Sequence, residues 1–291
     1  MKKYLWVIAY AIVLTAFTVY SLLDMFVISR AYQTLTDDTS SQTEAHNAEI
    51  TETSYRDENI SIEIRQYREF DTDIYVADII LSSPEYLKTA LANDAYGRNI
   101  RELPSSISAR KNAILTINGD FYGAREQGYV LRNGRLLRST PTEGLEDLVI
   151  YKDGSFEIIN ESERSAEQLL NEGAQQIFFF GPALIKNGAV SVDTSSKVDK
   201  EFTSNPRTAI GMIDDLHYVF VVSDGRWEES KGLSLLQMAL FMESLGVQTA
   251  YNLDGGGSST MYFNGRIVNR PTEDGKELLE RTVSDVVYIG Y

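Results

Sequence analysis

Asn252-Leu253-Asp254-Gly255-Gly256-Gly257-Ser258-Ser259-Thr260-Met261 is a stretch that neither a helix nor a strand interior accommodates. Consecutive glycines lose more backbone freedom on folding than any other residues, so they are kept where the chain must approach something closely or adopt positive φ. The flanks argue against a flexible linker. Tyr251-Asn252-Leu253 on one side and Met261-Tyr262-Phe263 on the other are β-favouring runs that pin both ends. The stretch therefore predicts strand, loop, strand. The amides of Gly255, Gly256 and Gly257, followed by the hydroxyls of Ser258, Ser259 and Thr260, are the groups from which a nest for a phosphate or carboxylate is built. The Gly-Lys-Ser/Thr ending of a Walker A loop is missing.

Two other segments share the design of an apolar strand running into a carboxylate and glycine. Ala113–Ile117 leads into Asn118-Gly119-Asp120-Phe121-Tyr122, and Tyr218–Val222 into Ser223-Asp224-Gly225-Arg226. Ligand sites favour the carboxyl ends of strands, where loops vary without disturbing the core. The sequence thus predicts that Asp120, Asp224 and Asp254 converge on one cleft, although each Asp-Gly alone would serve as a simple turn. Asn205-Pro206-Arg207 places an arginine at the entrance of a further strand. In an acidic chain Arg207 and Arg226 are the local cations suited to phosphate, because guanidinium matches its oxygens in a two-pronged way. The candidate catalytic set is Asp120, Asp224, Arg226 and Asp254. The candidate substrate-binding set is Asn118, Arg207, Asn252 and Gly255 to Thr260. If a metal takes part, Asp120, Asp224 and Asp254 would hold it, and oxygen donors select Ca²⁺ or Mg²⁺.

Around these loops the pattern is strand-rich. Ser61–Tyr67, Ile74–Leu81 and Gln176–Phe180 read as strands, and Asn133-Gly134, Asp153-Gly154, Asn187-Gly188 and Asn264-Gly265 signal hairpins. Asp214-Asp215 marks a further turn. Ser234 and Gln237 form a capping-box pair opening a helix whose apolar residues recur at helical spacing until Gly246. Weaker helical patterns cover Glu85–Asn93 and Ser165–Glu172. The predicted fold class is α+β, a single domain with a mixed, hairpin-rich β-sheet flanked by helices.

The chain has 291 residues and a formal charge of -15, which argues against sequence-independent nucleic-acid binding. Cysteine is absent, excluding disulfides, thiolate metal sites and a cysteine nucleophile. With His46 and His217 as its only histidines, the chain has little material for a serine–histidine triad or a zinc site. His46 reads as solvated and His217 as structural. From Tyr4 to Leu23 no residue is charged, a run long enough to cross a bilayer. Lys2 and Lys3 precede it, so the positive-inside preference puts the N-terminus in the cytoplasm and the rest outside. The run exceeds a usual signal-peptide core and no Ala-x-Ala site follows, so an uncleaved anchor is expected over residues 1–30. Residues 31–59 are acidic and poor in large apolar side chains, and read as an extracytoplasmic linker. The folded domain is expected over residues 60–291.

The set Asn118-Gly119-Asp120-Phe121-Tyr122-Gly123, Asn205-Pro206-Arg207-Thr208-Ala209-Ile210-Gly211, Asp224-Gly225-Arg226 and Asn252 to Met261, in this order, resembles the phosphodiester glycosidase family. The resemblance runs from about Tyr75 to the C-terminus. Many members have Pro after the Glu-Arg pair near the C-terminus, where this chain has Glu280-Arg281-Thr282. It implies hydrolysis of a sugar-1-phosphodiester between the anomeric carbon and the phosphate oxygen. A GlcNAc-1-phosphate type of bond in a cell-surface or exopolysaccharide glycan is expected. A metal-dependent phosphodiesterase or transferase, and a non-catalytic glycan-binding module, are the competing readings of the same residues.

Overall fold

In the computed structural model the described residues are 4–35, 47–192 and 203–291. His46 lies outside them. The α+β class holds, with many strands and few helices. Every strand pairing among the described residues is antiparallel, so several antiparallel sheets stand where one mixed sheet was expected.

The largest sheet has nine strands. In spatial order they are Ala189–Val190, Ala183–Lys186, Thr249–Asn252, Arg207–Asp214, His217–Ser223, Thr72–Leu81, Ile60–Glu69, Ser54–Arg56 and Glu49–Ile50. A five-stranded sheet runs Arg266–Ile267, Met261–Phe263, Leu115–Asn118, Asp285–Ile289, Leu87–Leu91. Another runs Arg135–Arg138, Val130–Arg132, Ala174–Phe178, Glu146–Tyr151, Phe156–Asn160. The main core lies where the three meet: Ile62, Ile79, Phe220 and Tyr251 from the first, Ile117, Phe263 and Val287 from the second, Leu148 and Phe178 from the third. Each sheet's other face is covered by one helix. Met238, Ala239 and Met242 of Leu235–Ser244 pack on Val76, Ala209 and Val221. Ile107 of Pro104–Arg110 and Leu169 of Ala166–Asn171 cover the other two sheets. Central strands buried on both faces are the reason their sequences read as continuous apolar runs.

The predicted cap is present, Ser234 with Gln237, and Ser165 with Gln168 forms a second reciprocal capping box. Asn133-Gly134, Asn187-Gly188 and Asn264-Gly265 all take positive φ at the tips of hairpins. The helix expected over Glu85–Asn93 is instead a short turn, Pro84–Tyr86, followed by the strand Leu87–Leu91. Pairing with Asp285–Ile289 gives that segment a ladder and a buried face that an isolated short helix would lack. His217 is structural, its Nε2 lying 2.6 Å from Asp78 Oδ1.

The helix Leu5–Phe26 is apolar, 22 residues long and buries none of its residues in the protein. At about 1.5 Å per residue it spans a hydrocarbon layer, which fits either a membrane anchor or a signal peptide. The acidic segment after it is not a free spacer at its described ends. Arg30–Thr34 pairs with Ala95–Arg98, and Ser54–Arg56 extends the large sheet with Tyr55 buried in the core. Backbone pairing at sheet edges supplies what the segment's sparse apolar content could not.

Candidate active site

His217–Ser223 and Thr249–Asn252 flank Arg207–Asp214 and are both antiparallel to it. They therefore run the same way, and their carboxyl ends deliver Asp224 and Asp254 on either side of Arg207. Leu115–Asn118, in the facing sheet, brings Asn118 to the same edge. Its Nδ2 donates to the Asp254 carbonyl at 2.6 Å, while its Oδ1 accepts from Thr208 Oγ1 at 2.8 Å and from the Thr260 N–H at 3.2 Å. Asn118 is fully buried and acts as a strut between the two sheets and the glycine loop. Asn252 is buried too, donating to the Gly181 carbonyl at 2.7 Å.

The three aspartates meet different fates. Asp120 is wholly buried, with Oδ1 2.8 Å from Arg132 Nη2 and its two oxygens accepting from the Tyr122 and Phe179 amides, each at 3.2 Å. Arg132 also donates from Nε to Asp285 at 2.8 Å, so Asp120 belongs to a buried Asp–Arg–Asp triad behind the loop. Asp224 is buried under the chain that returns past it. Its Oδ1 accepts from the Arg270 amide at 2.7 Å and its Oδ2 from Tyr75 at 3.3 Å. Burial holds its carboxyl above the usual range, against those hydrogen bonds. Asp254 is partly exposed at the start of the glycine loop, and its Oδ1 accepts from the Gly255 amide at 2.9 Å. Burial raises its pKa as well, opposed by the Ser258 hydroxyl and the Arg281 charge.

Among the described residues no group of three or more His, Asp or Glu is arranged to hold a metal ion. The Ca²⁺ or Mg²⁺ reading does not fit: Asp120 is committed to Arg132 and two amides, and Asp224 to Arg270, Tyr75 and Asn269.

The glycine loop departs from the expected anion nest. Five of its six amides are already taken: Gly255 by Asp254, Gly256 by the Pro206 carbonyl at 2.8 Å, Ser258 by the Gly255 carbonyl, Ser259 by the Gly256 carbonyl, Thr260 by Asn118. The glycines serve close approach instead. Gly256 has φ +63°, and a Cβ there would come within 2.9 Å of Arg226 Nη2. A Cβ on Gly257 would lie 2.7 Å from the carboxyl carbon of Glu273.

Glu273 and Arg281 are the site residues that sequence reasoning missed. Arg281 grips the Glu273 carboxylate through Nε and Nη2, the latter at 2.5 Å, and Arg226 Nη1 stands 3.6 Å from the same carboxylate. The Arg281 hydrogen bond holds Glu273 below the usual carboxylate range. Glu280, next to Arg281, fixes that segment by accepting from the Ser105 amide and hydroxyl, both at 2.6 Å. Asn269 was also missed. It bridges the loop, donating to the Ser259 carbonyl at 2.9 Å and accepting from the Met261 amide at 2.8 Å. Neither segment has a strand-to-carboxylate pattern, so only the Glu280-Arg281 pair offered a signal.

Arg207 does not reach into this cleft as expected. Its Nε donates to the Leu233 carbonyl at 3.0 Å and its Nη2 to the Thr203 carbonyl at 2.9 Å, and burial pushes its pKa down to about 10. A separate cavity of about 940 Å³, lined by residues including Lys88, Asn133, Gln176 and Tyr288, contains none of the predicted site residues.

A family model described as phosphodiester glycosidase matches residues 111–290. The SPbeta prophage-derived protein YomE of Bacillus subtilis is 30% identical over 203 residues, covering 67% of this chain and 31% of its own length. The N-acetylglucosamine-1-phosphodiester alpha-N-acetylglucosaminidase of Mus musculus is 29% identical over 178 residues, covering 56% of this chain and 34% of its own. The chain thus spans about a third of the length of these curated relatives. Among solved structures, the zebrafish N-acetylglucosamine-1-phosphodiester alpha-N-acetylglucosaminidase catalytic domain, auto-inhibited by its pro-peptide, superposes with a TM-score of 0.63. It covers 91% of this chain and 88% of its own at 19% identity, which establishes the shared fold. The strand ends, glycine loop and returning Glu273–Arg281 segment described above all fall within the matched residues, and the chain belongs to the phosphodiester glycosidase family.

Proposed function

We propose that this protein hydrolyses sugar-1-phosphodiesters, breaking the bond between the anomeric carbon and the phosphate oxygen. The observation that carries this reading is the convergence of Arg226 and Arg281 on one carboxylate, Glu273, against the glycine loop that Asp254 opens. A phosphate monoester is a good leaving group, so the reaction gains most from cations that meet its developing charge. Arg226 and Arg281 supply them once the phosphate displaces Glu273 from between them. Asp254, whose carboxyl is held above its usual range, is the group to activate water or to attack the anomeric carbon. Asp224 supports the site from behind through Arg270 and Asn269. Asp120 and Asn118 hold the loop in place. The expected substrate is a cell-envelope glycan bearing such a linkage, with the helix Leu5–Phe26 anchoring the domain on the outer side of the membrane.

The test uses the detergent-solubilised full chain with methyl N-acetylglucosamine-1-phosphodiester and UDP-GlcNAc in ¹⁸O-labelled water. Label on the anomeric oxygen of the released sugar is the expected outcome. Label on phosphate would make the protein a phosphodiesterase, and binding without turnover would make it a glycan-binding module.

A further inference from the structure

The apolar helix is fastened directly to the folded domain. Asn99 Nδ2 donates to the carbonyls of Met25 and Ile28, each at 3.2 Å, and Ser29 Oγ donates to the Asn99 carbonyl at 2.9 Å. Arg98 donates to the Met25 carbonyl at 3.3 Å, and Asp24 pairs with Arg30. The strand Arg30–Thr34 then begins at once, its first residue paired with Arg98. These bonds give the Met25 carbonyl in the last turn, and that of Ile28 just beyond it, partners in the domain where they would otherwise need water. A helix crossing a bilayer and capped in this way carries the domain on the membrane surface with a preferred side down.

That side leads to the site. Leu103 follows Asn99 by four residues, so it lies within about 14 Å of it along the chain. From Leu103 the helix Pro104–Arg110 begins, and Ser105 in its first turn is bonded to Glu280. Glu280 is flanked by Arg281 of the site and by Leu279. Leu278 is 65% exposed and Leu279 46%, directly before Glu280-Arg281 in the chain, and Leu103, 37% exposed, lies two residues before the Ser105 that Glu280 binds. Exposed leucines scattered singly need no explanation, but these belong to segments bonded on one side to the end of the apolar helix through Asn99 and on the other to the chain carrying Arg281 through Glu280.

We infer that this rim rests on the bilayer and that the site takes a lipid-linked sugar-1-phosphodiester. The inference rests on the function proposed above and specifies its substrate. The lipid chain stays in the membrane against Leu103, Leu278 and Leu279, while the phosphate reaches Arg226 and Arg281. Water adds its hydroxyl to the anomeric carbon as the carbon–oxygen bond to phosphate breaks. The products are the free sugar and a lipid phosphate monoester, which takes up the proton.

The full chain reconstituted in phosphatidylcholine–phosphatidylglycerol vesicles tests this with two substrates, prenyl-phosphoryl-N-acetylglucosamine in the same vesicles and its water-soluble methyl analogue. The double variant Leu278→Glu, Leu279→Glu is expected to lose at least about tenfold in turnover of the prenyl substrate and to keep that of the methyl one. Equal losses on both, or none on either, would overturn the inference. Because the chain has no cysteine, bimane on Leu278→Cys gives a second readout without turnover. Quenching by nitroxide-labelled lipids is expected, and its absence would overturn the orientation. If neither substrate is cleaved by the unaltered chain, the function reading fails and the lipid substrate with it, while the quenching result still decides which side faces the membrane.

Discussion

Arg281 holds the Glu273 carboxylate with both prongs of its guanidinium, and the carboxylate so held lies against the backbone of Gly257. An acidic side chain thus occupies the position between Arg226 and Arg281 that a substrate phosphate would need. The pair is partly exposed, so its own strength is modest, and inorganic phosphate, a dianion, can replace one carboxylate between two arginines.

Glu273→Gln should therefore strengthen inhibition by inorganic phosphate, by about 2- to 5-fold, since removing a competing charge is worth up to roughly one exposed ion pair. Arg281→Ala should weaken it. Inhibition constants measured side by side settle the matter, and an unchanged constant in Glu273→Gln would mean that phosphate binds elsewhere.

Gly257→Ala should lower turnover without abolishing it, because the new Cβ would stand 2.7 Å from the Glu273 carboxyl carbon and press on the movable end of that side chain. In a Glu273→Ala background the same change should cost far less. A double-mutant cycle on kcat/KM reads the coupling, which is expected to exceed about 1 kcal/mol for two groups in direct contact.

Arg226→Lys keeps the charge but loses the planar fork. Turnover is expected to fall on the order of 10²-fold, with kcat and kcat/KM dropping together, as for a lost oxyanion donor. Arg207→Ala should act differently. Its guanidinium is hydrogen-bonded to the Leu233 and Thr203 carbonyls, so the expected effect is a stability loss of about 1–3 kcal/mol, read by urea denaturation. A rise in KM at unchanged stability would return Arg207 to the substrate.

Arg132 sits at 1% exposure between Asp120 and Asp285. Arg132→Met should destabilise the fold by roughly 3–5 kcal/mol, because it leaves two carboxylates buried without their counter-charge. Thermal unfolding checks this, and a fully stable variant would show that one of the aspartates is held neutral.

Asp147 is buried, and desolvation first, then the neighbouring Glu161, raises its pKa well above the ordinary value. The folded protein then binds a proton that the unfolded chain releases, so stability falls as pH rises from the unfolded pKa towards the folded one. The slope for one such group is at most about 1.4 kcal/mol per pH unit. Asp147→Asn should flatten the stability profile above pH ~4. Urea midpoints at pH 5 and pH 8 test this, with an unchanged difference counting against it.

Wherever the physics is local, the sequence by itself was sufficient. Capping boxes at Ser165 and Ser234, left-handed hairpin tips at Asn133, Asn187 and Asn264, and strands leading into Asp224 and Asp254 all follow from residues a few positions apart. The segment Leu87–Leu91 shows the limit, since its strand exists only because Asp285–Ile289, nearly 200 residues on, offers a ladder. The same limit governed the site. Asp120, Asp224 and Asp254 look alike in sequence, yet Arg132 draws the first into the core and the Arg270 amide covers the second. That leaves Asp254 partly exposed at the start of the glycine loop. The glycines announced a close approach, but what approaches them, Arg226 and Glu273, was decided by chain segments that meet only in three dimensions. Turn geometry and helix capping are settled by neighbours along the chain, whereas the burial, charge pairing and pKa of a carboxylate depend on whatever the folded chain packs against it.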